Sequence, residues 1–404
     1  MAEGTIVSDE RLHDYLHTYA ESINLKNPKF RITEACNKGD NYVSLVCRVT
    51  LEGVEDGEAK KIELILKTTQ NYVNDLLPSN KVTKMFQREA FFYREVLSIF
   101  KETLKDRGGI VNRFPILYDV RDEPGKEILM LENLSPDGFV MAKSKIMDYP
   151  HLNLTLRCLG ELHAYSFITR VANPTGFEKL KQMDDPIFSE QPTQTSESTE
   201  KISKLLQNII LEALANEDKH YSERYKRFKD SMPQSLFHVI DGKAAEPYAV
   251  VNHGDSWTNN ILFKYDQEKN PCDLRFIDLQ VSRYASPVLD LVYVLFCCCT
   301  QETRSQYFDQ VIREYYETLS VCIKKAGYDP NILFPYEILC QHLIKFGKYA
   351  AAMATYTIHI FTNKDVEIKD TYNENVLKDR VKNDSLYRNM LIGTFKDLVD
   401  RNYI

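Results

Sequence analysis

Apolar and polar residues alternate through the first third of the chain. Across residues 61–67 the pattern is strand-like: Ile62, Leu64 and Leu66 fall on one side, and Glu63, Ile65 and Lys67 on the other. Residues 42–51 alternate less cleanly. The acidic stretch 52–58, with two glycines, reads as the turn joining the two runs into a hairpin. The period then lengthens. Over residues 81–100, Val82, Met85, Phe86, Phe92, Tyr93, Val96, Leu97 and Phe100 form one stripe at helical spacing. Glu89 interrupts that stripe, and a carboxylate on an apolar face is costly unless it is paired. Residues 113–120 and 127–134 predict two more strands around Glu123-Pro124-Gly125.

Ser135-Pro136-Asp137-Gly138 breaks this pattern, and helical spacing dominates afterwards. Helices are predicted over 152–169, 200–229, 287–299, 303–325, 336–361 and 385–399. Residues 188–200, rich in Ser, Thr, Gln and Glu, predict a flexible loop. The expected fold class is α+β, with a small antiparallel-sheet lobe over 1–133 and a larger, mainly helical lobe over 134–404. A chain of 404 residues is long enough for two such lobes.

The most chemical stretch is His253-Gly254-Asp255-Ser256-Trp257-Thr258-Asn259-Asn260, followed by Phe276-Ile277-Asp278. Short apolar runs flank it at 249–251, 261–263 and 274–277, so the polar loop lies between strands and Asp278 closes one. Asp and Asn favour turns without any chemistry. In this strand-loop-strand setting, however, the spacing is that of phosphoryl transfer from ATP. Asp255 would accept the proton of the attacking hydroxyl, and Asn260 and Asp278 would hold Mg2+ on the phosphates. Lys67 alone reads as a solvated strand-end lysine. Paired with Glu89 on the next helix, it becomes the ion pair that grips ATP phosphates. Ile65, on the Lys67 face, would touch adenine, and residues 130–134, including Glu132 and Leu134, would supply backbone groups to it.

Other positions leave two readings open. Gly39, in Asn37-Lys38-Gly39-Asp40-Asn41-Tyr42, is either a reduced phosphate-covering loop or an ordinary loop before a strand. Asp290 follows the helix start Ser286-Pro287. It is either a carboxylate favoured by the helix dipole or an acceptor bracing the catalytic loop. His163, with Leu152, Leu156 and Leu159, reads as a core histidine. The stripe over 346–361, with Met353, Tyr356 and Phe361, reads as core or as the wall of an acceptor pocket.

Composition narrows the partners. A net charge of −7 with no Lys/Arg run argues against nucleic acid and against anionic lipid surfaces. Residues 1–14 lack an apolar signal core, and no run approaches the ~18 apolar residues of a membrane span. The nine cysteines have no metal-ligand spacing. Cys297-Cys298-Cys299 reads as small buried hydrophobes, and the expected compartment is the reducing cytoplasm. No protein partner is evident. Only residues 279–285 separate Asp278 from Ser286-Pro287. That leaves no long activation segment on which a protein substrate could dock, so a small hydroxylated molecule is the expected acceptor.

At these residues the chain resembles the kinase-like phosphotransferases that include choline kinases and aminoglycoside phosphotransferases. Within them it is most similar to the ecdysteroid kinase-like family, through His253-Gly254-Asp255-x-Trp257-x-Asn259-Asn260 and Ile277-Asp278-x-Gln280. Trp257 and the paired Asn set it apart from relatives with Asp-x-His-x-x-Asn. Order and spacing match from about Asn37 to the helix at Pro287. The resemblance implies a bilobal protein-kinase-like fold, ATP and Mg2+ as cosubstrates, and a lipophilic alcohol such as an ecdysteroid as acceptor. Choline-like or xenobiotic alcohols, and an inactive nucleotide-binding pseudokinase, are the alternatives. Gln280 stands where protein kinases carry the glycine of D-F-G, which argues against a flip of that motif as a switch.

Overall fold

The computed structural model describes residues 7, 9–35, 44–69, 79–105, 107, 111–187, 197–363 and 371–404. Among them, helix α1 (Glu10–Ser22) precedes an antiparallel sheet. The sheet contains β1 (Lys26–Glu34), β2 (Ser44–Glu55), β3 (Glu58–Thr69), β4 (Leu117–Arg121) and β5 (Ile128–Glu132), in the order β1-β2-β3-β5-β4. The alternation in β3 is borne out: Leu64 and Leu66 are buried and pair with Val49 and Cys47 of β2. The hairpin turn is tighter than the acidic stretch suggested. Only Asp56 and Gly57 lie between the strands, both at positive φ (52° and 89°). Asp-Gly is the residue pair such a two-residue turn favours, because its twist matches that of the strands.

Neither α1 nor β1 was expected from the sequence. Asp9 caps α1 by accepting from the Arg11 N–H, and Leu12, Tyr15, Leu16, Tyr19 and Ala20 pack on the outer face of the sheet against Ile32, Val49, Leu64 and Met130. In β1 only Ile32 is buried, so this edge strand carries almost no apolar signal.

The stripe over 81–100 forms α2 (Ser79–Phe91), a π-helical turn (Phe92–Val96) and α3 (Leu97–Leu104). A short β6 (Val140–Met141) then leads into α4 (Tyr149–Ala172) and α5 (Pro174–Leu180). The helix expected over 200–229 divides into α6 (Glu197–Ala213) and α7 (Lys219–Ile240), because Asp218 starts a new helix by capping the His220 N–H. The loop expected over 188–200 ends early, since Glu197–Glu200 already belong to α6; residues 188–196 lie outside the described residues.

After α8 (Gly242–Ala245) come β7 (Val250–Asn252), β8 (Ile261–Tyr265), β9 (Pro271–Phe276) and β10 (Arg283–Ala285). Strands β6, β8 and β9 form one small sheet, and β7 pairs with β10. The remaining helices are α9 (Val288–Cys297), α10 (Gln301–Lys325), α11 (Pro330–Leu333), α12 (Tyr336–Phe346), α13 (Lys348–Phe361), α14 (Glu374–Asn383) and α15 (Ser385–Asp400). The single helix expected over 336–361 is interrupted at Gly347. Every residue of α9 is buried, and Cys297, Cys298 and Cys299 are core residues, as expected.

The result is an α+β, protein-kinase-like arrangement, with an antiparallel sheet preceding a mainly helical body. Arg113 ties the two. Its guanidinium donates to both oxygens of Glu161 on α4 (2.7 and 2.9 Å) and pairs with Asp273 on β9, while its carbonyl accepts from the Phe276 N–H. No helix among the described residues is long and apolar enough to cross a membrane.

Helices α4 and α10 approach closely at Gly160, where a Cβ would lie 2.8 Å from the Tyr315 carbonyl oxygen. Neither backbone can yield without disturbing its helix. Gly160→Val is therefore expected to lower unfolding free energy by about 1–3 kcal/mol, measured by urea denaturation; unchanged stability would refute this close approach.

Candidate active site

The pairing of β7 with β10 sets Val251 opposite Tyr284 and so fixes where the loop after Asn252 emerges. Gly254 then turns the chain at φ +89°, and a Cβ there would collide with the Val281 carbonyl. Arg283 donates to the Gly254 carbonyl at 3.3 Å. Asp290, in the first turn of α9, accepts from the N–H groups of His253 (2.7 Å) and Gly254 (2.9 Å). Burial alone would raise the Asp290 carboxyl, but the hydrogen bond and charge of His163, with His253 and the Gly254 N–H, hold it below its usual range. Of its two readings, the geometry realises the brace. His163 is the expected core histidine: it contacts Asp290 at 3.3 Å and the Tyr315 hydroxyl at 2.8 Å.

Asp255 follows this braced turn. Its N–H donates to His253 Nδ1 at 3.3 Å, and burial lowers the pKa of the His253 ring. Asn260 Nδ2 donates to Asp255 Oδ2 (2.8 Å) and to the Asp255 carbonyl (2.9 Å), while the Tyr293 hydroxyl donates to Oδ1. Burial pushes the Asp255 carboxyl up to about 7; the hydrogen bonds from Tyr293 and Asn260 oppose that rise, and the charge of Asp278 adds to it. Trp257 stacks on Phe361 of α13, with ring centroids 4.2 Å apart and planes 11° from parallel.

The other half of the site comes from the sheet. Lys67 Nζ lies 2.6 Å from Glu89 Oε2 on α2 and 2.6 Å from Asp278 Oδ1 just after β9. Burial opposes the charge on Lys67, but Asp278 and Glu89 outweigh it and raise its pKa. Two of its three ammonium donors are engaged, which leaves one for a ligand. Asp278 adopts φ +61°, a conformation Asp tolerates better than most residues. The Leu279 N–H donates to Glu89 Oε1 at 3.3 Å, which closes the ring of contacts.

The remaining candidates are placed as follows. Ile65 lies on β3 between Arg48 and Leu131, partly buried against the main core. Glu132 ends β5, but its N–H and carboxylate are both taken by the Ile116 backbone, at 2.9 and 3.0 Å. Leu134 is buried, and its carbonyl accepts from Asp137 and Phe139 in the following turn. Gly39 lies outside the described residues.

The hydrogen bond from the Ile277 N–H to the Asn260 carbonyl (3.0 Å) brings Asn260 beside Asp278. Asn260 uses its amide NH2 on Asp255, which leaves its amide oxygen free to coordinate. An amide oxygen plus a carboxylate suits a hard divalent cation such as Mg2+, which takes few protein ligands and completes its shell with phosphates and water.

Several site residues were missed by sequence reasoning. Tyr293 is hidden in an apolar run; its only signal is its position three residues after Asp290, on the same helix face. Arg283 pairs with Asp185 at 3.0 Å, both side chains 2% exposed, while Arg88, next to Glu89, pairs with Asp184 at 2.7 Å. Segment 184–185 thus links α2 to the loop that carries Asp255, and nothing local in the sequence marks it.

A strand lysine paired with a helix glutamate, a braced Asp/Asn loop and a second Asp at a strand end together define a kinase-like phosphotransferase. The chain belongs to the ecdysteroid kinase-like family, whose pattern matches residues 38–328. No curated protein matches it. Among solved structures it is similar to the GDP complex of wild-type aminoglycoside 2'-phosphotransferase-IIIa, with 12% identity, 85% of this chain and 99% of that chain covered, and a TM-score of 0.34. A mutant of that enzyme, also a GDP complex, aligns at 12% identity over 85% of this chain and 97% of its own, with a TM-score of 0.31. At TM-scores this low, neither structure bears on the site.

Gly254→Ala should displace the loop that carries Asp255. Turnover is expected to fall about 100-fold or more; an alanine variant with full turnover would show that the backbone contact with Val281 does not constrain the site.

Proposed function

We propose that the protein is an ATP-dependent kinase that transfers the γ-phosphate to a hydroxyl of a small lipophilic alcohol, with ecdysteroids the leading class. The observation that carries this reading is Lys67, held at 2.6 Å by both Glu89 and Asp278, across from an Asp255 fixed by Asn260. Residues 1–133 would form the nucleotide lobe and 134–404 the catalytic and acceptor lobe. Ile65 would lie against adenine, with the Leu134 N–H as its hydrogen-bond donor, since the Glu132 N–H is already taken. Gly39 would belong to the loop over the phosphates.

In this mechanism Asp255 orients the acceptor hydroxyl and takes its proton. The alcohol oxygen forms a bond to the γ-phosphorus while the bond to the β,γ-bridging oxygen breaks, releasing ADP. Lys67 grips the phosphates, and Glu89 keeps the ammonium in place. Asn260 and Asp278 would hold Mg2+, which supplies charge neutralisation on the phosphates. Positioning and electrostatics provide the rate enhancement. The family and the short connection from Asp278 through β10 to α9 both support a small acceptor over a protein. Buried free cysteines are consistent with a reducing cytoplasm.

The test is incubation with Mg·ATP and a panel of ecdysteroids, choline-like amines, sugars and xenobiotic alcohols, with phosphorylated product followed by mass and ADP by coupled assay. Chelating divalent cations with EDTA should abolish product formation. Asp255→Asn should lower kcat by about 100-fold or more while leaving ATP affinity nearly intact. Full activity in that variant would overturn the assignment of Asp255.

A further inference from the structure

Helix α9 holds the catalytic loop at two points. Asp290 grips the backbone N–H groups of His253 and Gly254, and one turn later the Tyr293 hydroxyl donates to Asp255 Oδ1. Spacing of three residues puts both side chains on one face of the helix, so a single rigid element sets the height of the loop and the orientation of its carboxylate. Tyr293 itself has little freedom. It is 1% exposed and meets Phe361 edge-on, with centroids 6.2 Å apart and planes at 88°, and Phe361 in turn stacks on Trp257 of the loop.

A carboxylate has about four lone-pair sites across its two oxygens. Here Asn260 engages Oδ2 and Tyr293 engages Oδ1, which leaves each oxygen able to accept once more. With one donor on each oxygen, rotation about the Cβ–Cγ bond breaks at least one hydrogen bond. With the Asn260 contact alone, only one hydrogen bond opposes that rotation. Tyr293 therefore adds a second restraint on the rotational freedom that the loop backbone leaves to Asp255.

We propose that Tyr293 is a positioning residue for the phosphoryl-transfer reaction, locking the Asp255 carboxylate in the orientation from which it takes the acceptor proton. This rests on the kinase reading above. A proton acceptor misoriented by a fraction of an ångström loses its overlap with the attacking hydroxyl, whereas nucleotide binding, built on Lys67, Glu89 and Asp278, does not involve Tyr293.

Tyr293→Phe removes only the hydroxyl and keeps the ring against Phe361. Three measurements test it: ADP release from Mg·ATP with ecdysone as acceptor, thermal unfolding, and a crystal structure of the variant. The expected result is kcat reduced about 10- to 100-fold with KM for ATP unchanged, the melting temperature retained, and the Asp255 carboxylate in more than one orientation. Wild-type kcat in the variant, or an Asp255 carboxylate in one unchanged orientation, would overturn the proposal. A rise in KM for ATP matching the loss in kcat/KM would also overturn it, since it would place Tyr293 in nucleotide binding. If the wild-type enzyme leaves every alcohol in the panel unphosphorylated, the kinase reading fails, and the orientation of Asp255 in the crystal still decides the role of Tyr293.

Discussion

The ammonium of Lys67 is the point on which three parts of the chain converge. It lies on β3, its first partner Glu89 lies on α2, and its second, Asp278, follows β9 and is separated from it by 211 positions. Glu89 is almost fully buried, Lys67 nearly so and Asp278 partly, and two carboxylates drawn out of water around one ammonium would be a poor bargain for stability alone. Well-packed apolar residues of the same volume would hold a strand to a helix at least as well. The arrangement is intelligible as a preorganised binding site: the cation is held in place and desolvated, one of its donors is unused, and a carboxylate beside it can coordinate a metal ion.

A second constraint acts on the half of the site that carries Asp255. A loop that must present one carboxylate in a fixed place cannot rely on its own backbone, which at Gly254 adopts a conformation few residues tolerate. The structure anchors it from outside through Asp290, Arg283 and Tyr293, and through Trp257 against Phe361. Asp290 is in turn held by His163 of α4, and α4 reaches α10 only because position 160 is glycine. The strap through Asp184 and Asp185 joins this anchored loop to α2, so the two halves of the site are tied by one exposed and one buried ion pair as well as by Lys67.

Much of the fold was legible because period and burial coincide. The β2–β3 hairpin, the helix carrying Glu89 and the apolar α9 each bury one face or all of themselves, and the residues show it. Failures occurred where that coincidence breaks down. Strand β1 buries only Ile32 and left no alternation to read. The break between α6 and α7 depends on a cap at Asp218 inside a stretch whose apolar spacing continues regardless. Over 130–134, the sequence could not show that Ile116 already occupies Glu132.

The sequence by itself determined which residues are the candidates for the chemistry. Asp255, Asn260 and Asp278 stand at a spacing imposed by the covalent chain between short strands, and Lys67 and Glu89 each sit where local patterning makes them anomalous. Local rules suffice for such residues because their signal lies within a few positions. Only the tertiary structure decided which groups restrain them. Tyr293, Arg283 and Asp185 are ordinary residues in their own neighbourhoods and acquire a role through contacts between elements far apart in the chain. Those contacts follow from how sheets and helices pack in three dimensions, which no period along one dimension records.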